Sequence, residues 1–398
     1  MKPLRARHRL DIRPGDLAAA FTMLPASDHA RAAEELELLW SPCGLGLACY
    51  SVRSGFHLLL TALQLPPGSE VLFSAITHPD MPRLAKHHGL VPIPVDLDPA
   101  TLAPHPEALV RSIGDRVRVL VVAHLFGGHV DLSLIAGVCR RYGILLVEDC
   151  AQAFDGPRDT GDQLADVSMF SFGILKTSTA LGGAMLTVRD ASFVARMRQM
   201  HRRWPVQKRS THLKRIVQTS AFVGLTQPLP YTLVAAAAGA LHADFDQFVN
   251  SAARAFPADS TAELVKRLEQ RPSAPLLKLL AYRIRNFDHA RLTARAASGE
   301  RLAAMLPAGL HIGGSALNHT HWLFPVVAGR PQELIRSARD AGFDAARSAS
   351  SVTAVPAPPG RPELEPICAR DMMSRLVFLP AYPELPPGAL AVLANAAR

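Results

Sequence analysis

The stretch Val147-Glu148-Asp149-Cys150-Ala151-Gln152-Ala153, followed by Val167-Ser168-Met169-Phe170-Ser171-Phe172-Gly173-Ile174-Leu175-Lys176, decides the reading of this chain. Each half is an apolar run of strand length that leads into a residue able to do chemistry. A lysine amine in a dry site is nucleophilic and can hold an aldehyde cofactor as a Schiff base. A carboxylate at the end of a buried strand can keep a pyridine nitrogen protonated, so that the ring draws electrons from the carbanion left when a substrate loses a proton. Taken singly, a lysine is usually a solvated surface charge, and a strand-terminal acid is often a helix cap or loop ligand. Their order and strand contexts together point to pyridoxal 5′-phosphate (PLP), with Lys176 and Asp149 as the catalytic pair.

Outward from this stretch the pattern alternates. Strands are predicted over 70–74, 91–95, 117–123, 144–147, 167–172 and 183–188, and helices over 55–65, 81–88, 106–113 and 132–142. Apolar strand runs separated by helices predict an α/β fold in which a mostly parallel, mixed sheet is sandwiched by helices. Ligands of such sheets bind beyond the carboxyl ends of the strands, and His78, Asp149 and Lys176 all follow predicted strands. The chain divides into an N-terminal arm (1–50) with a helix near 30–39, a large PLP-binding domain (51–205), a basic and apolar insertion (206–262), and a C-terminal helix with a smaller α/β domain (263–398). In the last part a helix start is expected at Asp259–Glu263, a long arginine-rich helix from Leu276 to about Leu306, a strand over 321–327 and helices over 331–341 and 387–397.

The 398 residues are 48% hydrophobic and 19% charged, which fits a globular protein and not a disordered one. The net charge of +9 accompanies no zinc-finger, RRM or homeodomain pattern, so nucleic acid is not the expected partner; an anionic substrate or a membrane surface explains the excess as well. Cys43, Cys49, Cys139, Cys150 and Cys368 are scattered without a CxxC pair, which argues against a metal site or a disulfide framework and for reduced intracellular thiols. The basic N-terminus lacks an apolar segment behind it, so a cytoplasmic location is expected. From 189 to 215 the chain carries the pairs Arg202-Arg203, Lys208-Arg209 and Lys214-Arg215, and 216–241 then holds no Asp, Glu, Lys or Arg. Gln218, Gln227, Pro228 and Pro230 interrupt that run, which reads as two short apolar helices around a proline turn. Such a segment can dock on the inner face of a membrane or form a dimer interface or domain core.

These residues resemble the DegT/StrS-type family of PLP-dependent aminotransferases of fold type I, best known for aminating nucleotide-linked keto-sugars. The resemblance covers about 45–200 and, more loosely, the region from Arg271. It rests on Glu148 to Ala153, Phe170 to Lys176 and Leu181-Gly182-Gly183-Ala184, with support from Pro94-Val95-Asp96-Leu97-Asp98-Pro99, Ala123-His124-Leu125-Phe126-Gly127 and Leu379-Pro380-Ala381-Tyr382-Pro383. It implies that Lys176 holds the cofactor and shuttles a proton, that Asp149 pairs with the pyridinium, that Gln152 bonds the phenolic oxygen and that Ser171 bonds the phosphate. It further implies that Ser54 and Gly55 open a helix at the phosphate, that His78 stacks on the ring, and that Arg271 reaches the site of the partner subunit in a homodimer. Glu269 stands where the family has an asparagine, and Lys176 stands where the dehydrating branch has a histidine, which favours transamination. The expected activity moves an amino group from an amino acid, glutamate or glutamine, to a keto or aldehyde acceptor, either a nucleotide-linked keto-sugar or an amphiphilic, lipid-linked carbonyl compound. Another fold-type-I PLP enzyme acting on an amino acid, or a non-catalytic PLP-fold regulator or membrane-docked interaction protein, remains open on the same residues.

Overall fold

The computed structural model describes residues 2–241, 245–246 and 260–398. Its central feature is a seven-stranded sheet built from β1 (Gly46–Cys49), β2 (Glu70–Ser74), β4 (Val91–Val95), β5 (Val117–Ala123), β6 (Leu145–Asp149), β7 (Val167–Ser171) and β8 (Ala184–Val188), with the two-residue β3 (Ile76–Thr77) outside it. The order is β1-β8-β7-β6-β5-β2-β4; β4, β2, β5, β6 and β7 run parallel, and β8 runs antiparallel to both of its neighbours. Side-chain alternation along the strands explains the layers. Val71, Phe73, Val119, Val121 and Val147 pack on one face with helices α3 (Val52–Leu63), α4 (Asp80–His87) and α7 (Ala191–His201). Leu72, Ile93, Leu120, Val122 and Leu146 pack on the other with Pro106–Ser112 and Ser133–Tyr142. A parallel sheet needs this double cover because both faces of its strands are apolar.

The sheet begins at Gly46, so the first strand lies within what the sequence marks off as the arm. Helix α2 (His29–Trp40) is anchored on that edge by Trp40, whose Nε1 donates to Thr187 Oγ1 at 2.9 Å. Further toward the N-terminus, Arg7 Nε lies 2.7 Å from Asp344 Oδ2, tying the first residues to the C-terminal part. Arg283 is bonded to Asp16 and to the Asp11 carbonyl. These pairs are buried, and removing one partner of such a pair leaves an uncompensated charge.

The single helix expected from Leu276 to about Leu306 is two helices, Ala274–Arg285 and His289–Met305. The break comes at Asn286-Phe287-Asp288, where the Asp288 carboxylate caps the second helix by accepting from the Arg291 N–H at 3.0 Å. The two helices expected in the insertion are present as α8 (Arg209–Leu225) and α9 (Pro228–Ala240), bent by about 90° at the break; residues 242–244 and 247–259 of the insertion lie outside the described residues. Of the helix start expected at Asp259–Glu263, Asp259 is also outside them, and Ser260 caps Thr261–Leu268 through the Glu263 N–H at 3.1 Å. Near the C-terminus, β9 (Phe324–Val327) and β11 (Leu376–Leu379) form an antiparallel pair, while β10 (Thr353–Ala354) pairs with β3 and brings 348–353 to the edge of the large sheet.

Candidate active site

Strand ends create the site. Strands β5, β6 and β7 stop at Ala123, Asp149 and Ser171, and the His124 N–H bonds the Asp149 carbonyl at 3.0 Å, so the loops that follow diverge over one cavity of about 550 Å³. Lys176 sits in the turn after β7, its N–H on the Gly173 carbonyl at 2.9 Å. Its Nζ lies 4.1 Å from the centre of the Trp322 ring. Trp322 is held in turn by its Nε1, which donates to the Leu175 carbonyl at 2.8 Å. Burial pushes the Lys176 amine down to about 8; Asp149 opposes the shift and Arg53 adds to it. Burial raises the Asp149 carboxyl, while the Ala151 N–H at 3.0 Å and Lys176 hold the rise back. The acid and the amine thus shape each other's proton affinity, as expected of a functional pair.

Three more sequence-predicted residues face the same cavity: His78, Gln152 and Ser171. Gln152 Oε1 accepts from the Phe126 N–H at 2.9 Å, which leaves its NH₂ as the donor available to a ligand. His78 Nδ1 accepts from the Asp80 N–H at 3.2 Å, so its outer nitrogen carries the proton when the ring is neutral.

Ser54 and Gly55 do not reach the cavity. Helix α3 starts earlier than the sequence pattern implied: Ser51 is its cap, accepting from the Ser54 N–H at 3.1 Å, and the first turn that faces the cavity is Ser51-Val52-Arg53. Ser54 is wholly buried and donates its hydroxyl to the Leu268 carbonyl, and the Gly55 N–H is spent on the Ser51 carbonyl. Gly55 serves packing instead, since a Cβ there would lie 2.6 Å from Leu186 Cδ1 on β8. The error is one of helix phase: both Ser51 and Ser54 satisfy the cap preference, and only packing chooses between them. Arg271 also stands away from its own chain's cavity, its Nε on the Trp204 carbonyl at 2.9 Å, and Glu269 lies 3.3 Å from His57 Nε2.

Sequence reasoning missed Arg53, Tyr50, Arg215 and Trp322, all of which line the cavity. It also gave no role to His124 and Glu148. Val130 N–H donates to His124 Nδ1 at 2.9 Å, which leaves the proton on Nε2, 3.0 Å from Glu148 Oε2. Burial drives Glu148 up, but hydrogen bonds from His124, Ser168 and Asp162 outweigh it and hold the carboxyl below its usual range.

The donor set matches PLP in kind. A half-buried amine can meet the aldehyde, a buried carboxylate the ring nitrogen, an amide NH₂ the phenolic oxygen, an imidazole the ring face, and a helix N-terminus with an arginine the phosphate. Fold and site therefore define the class, the fold-type-I PLP aminotransferase architecture. Solved structures of that architecture align with nearly the whole chain. The aminotransferase TlmJ of Streptoalloteichus hindustanus is 18% identical, with a TM-score of 0.67 over 100% of this chain and 98% of that one. NtdA of Bacillus subtilis, determined with bound PMP cofactor, is 15% identical, with a TM-score of 0.68 over 97% and 82%. Residues 44–227 match the model of the DegT/DnrJ/EryC1/StrS aminotransferase family. GDP-perosamine synthase of Caulobacter vibrioides is 32% identical over 161 residues, a match that spans 39% of this chain and 43% of that protein.

Proposed function

We propose that this protein is a PLP-dependent aminotransferase that takes an amino group from an amino acid, glutamate or glutamine, and delivers it to a keto group on a nucleotide-linked sugar. The observation that carries the reading is the meeting of half-buried Lys176 and buried Asp149 in one cavity at the carboxyl edge of the sheet. The likeness to GDP-perosamine synthase supports the choice of acceptor. When bound, the cofactor supplies a carbon that accepts and returns the amino group and a ring that stabilises negative charge beside it.

This chain's residues do the rest. Lys176, with its amine near 8, has a usable neutral fraction at neutral pH for holding the aldehyde, and the same Nζ can later carry a proton to and from carbon. Asp149 would accept a hydrogen bond from the cofactor's ring nitrogen and favour its protonated state. Gln152 would orient the ring through its phenolic oxygen and His78 would pack against a ring face, while Trp322 covers the lysine amine. Borohydride reduction of the loaded protein followed by peptide mapping is expected to find the cofactor on Lys176; attachment to another lysine would overturn the assignment. Incubating the loaded protein with candidate amino acids and measuring release of the matching 2-oxo acid then identifies the donor and separates transamination from other PLP chemistry.

A second reading of the acceptor has its own observation. Val217, Leu229, Leu233 and Leu241 of the α8–α9 segment are 53%, 70%, 56% and 78% exposed, an apolar surface suited to an amphiphilic, lipid-linked carbonyl compound at a cytoplasmic membrane face. Among the described residues no single helix is long and apolar enough to cross a membrane, so docking and not spanning is the form this reading takes.

A further inference from the structure

A second cluster of chemistry-bearing side chains lies outside the cavity, where the loops that follow β5 and β6 meet. His129, Asp155 and Asp159 each bring one nitrogen or carboxylate oxygen within 4.8 Å of the others, and His129 Nε2 is 4.0 Å from Asp155 Oδ2. The surrounding chain holds all three in place. His129 is fixed by its N–H, which donates to the Asn318 carbonyl at 2.8 Å, and by its carbonyl, which accepts from the Leu317 N–H at 3.0 Å. Its ring also bonds the Ala153 carbonyl. Asp155 Oδ2 accepts from Asn318 Nδ2 at 3.4 Å, and Asp159 Oδ1 accepts from the Gly161 N–H at 3.2 Å.

The atoms that face one another are a different matter. His129 Nε2 and Asp159 Oδ2 are closed to solvent and have no hydrogen-bond partner among the described residues, although buried polar atoms are normally paired. No Lys or Arg among the described residues forms an ion pair with Asp155 or Asp159. Two neighbouring carboxylates can share a proton, but that proton would join them in a hydrogen bond, and Asp159 Oδ2 makes none. Burial and the Asp155 charge push the Asp159 carboxyl up to about 7, and Glu148 adds to the rise. Burial lowers His129, which favours the neutral ring and its lone pair. We propose that His129, Asp155 and Asp159 bind one divalent transition-metal cation, Mn²⁺ or Zn²⁺, which fastens the β6–β7 loop to the loop after β5. One imidazole with two carboxylates suits these ions better than Ca²⁺ or Mg²⁺, which take oxygen ligands. Two donors about 2.1 Å from one ion stand at most about 4.2 Å apart, so the His129–Asp155 pair already fits and the other separations close by at most about 0.6 Å. The cysteine spacing does not bear on this site, because none of its donors is a thiol.

The experiment strips the tag-free protein, as purified, with EDTA and titrates it with Mn²⁺, reading the free ion by its EPR signal. Wild type is expected to bind one Mn²⁺ per chain, Zn²⁺ to displace it, and either ion to raise the unfolding temperature. His129→Ala and Asp159→Asn are each expected to weaken binding by at least about tenfold. Metal-free stability distinguishes lost coordination from damaged packing. At pH 8, where Asp159 is ionised, Asp159→Asn removes one of two facing charges, so without metal it should unfold at a higher temperature than wild type and gain less from the ion. A metal-free Asp159→Asn that unfolds below metal-free wild type would mean that the carboxylate is held by the protein alone, and the proposal fails. It fails equally if wild type leaves the Mn²⁺ signal undiminished up to about 1 mM and shows no thermal shift with Zn²⁺. One-to-one binding that both variants keep within twofold places the ion on other side chains, an adventitious ion only, and also overturns the site.

Discussion

The carboxyl edge of the sheet and the inserted helices α8 and α9 are both apolar segments preceded or followed by charged residues, yet they use that composition in opposite ways. At the sheet edge a strand's direction and alternation determine where its last residues go, so Asp149 and Lys176 arrive at the cavity together. In the insertion the same kind of composition leaves the orientation of each helix face undecided. Phe222, 8% exposed, and Ile216, fully buried, join the core formed by the N-terminal helices and Ala274–Arg285, while Val217 and Leu233 remain outside. Arg215, counted in the sequence among the basic residues facing a membrane, points into the cavity instead. A polar-to-apolar boundary locates a helix but does not rotate it.

The largest expected effect tests the sheet edge. Lys176→Ala removes both the cofactor attachment and the proton carrier, and turnover is expected to fall by at least about 10³-fold in a steady-state assay, with residual cofactor bound only reversibly. A variant that keeps borohydride-trapped cofactor would break the pairing of this strand end with the chemistry. Asp149→Asn comes next. Losing the buried partner of a ring cation costs about 3–5 kcal/mol, or roughly 10²-fold or more in rate, with the fold retained by circular dichroism. Wild-type turnover in Asp149→Asn would remove the acid from the mechanism.

The insertion is tested by a contrast between two substitutions. Phe222→Asp places an unpaired charge in the core and is expected to destabilise the protein by about 3–5 kcal/mol in denaturant unfolding. Leu233→Asp, at a 56% exposed position, is expected to shift stability by less than about 0.5 kcal/mol while abolishing co-flotation with anionic liposomes at low salt. Absence of flotation in the wild type at any salt concentration would assign the exposed leucines to a protein interface and strengthen the nucleotide-linked acceptor.

A pH series sharpens the account of Lys176. Because burial lowers its amine to about 8, only about a tenth is neutral at pH 7, and the rate of PLP uptake by the apoprotein should rise about fivefold between pH 7 and pH 8 and by at most about twofold above that. The linkage has a definite sign: the folded chain holds fewer protons at this site than the unfolded chain between the depressed and the ordinary lysine value of 10.5, so this group contributes a gain in apoprotein stability as pH rises from about 8. An uptake rate that keeps climbing past pH 9.5 would place the lysine in a wetter site than the geometry shows. The smallest effect belongs to Ser54→Ala, expected to leave PLP affinity within twofold, since that hydroxyl is spent on the Leu268 carbonyl.

By itself the sequence determined the mostly parallel sheet, the class of chemistry, and the arrival of Asp149, His78 and Lys176 at one cavity, whereas Gln152 and Ser171 were reached only through the family resemblance. Those inferences are local: strand parity and strand ends are set by short-range hydrophobic pattern, and function follows the residue just past the end. Tertiary structure decided the phase of α3, which moved the helix start from Ser54 to Ser51, and the break at Asp288 that divides one expected helix into two. It also decided the inward turn of Arg215 and the approach of Trp322 from the C-terminal part to Lys176. Helix caps compete within a few tenths of a kcal/mol among similar residues, and contacts between distant segments depend on how whole layers pack, so neither is written in the local pattern of any one stretch.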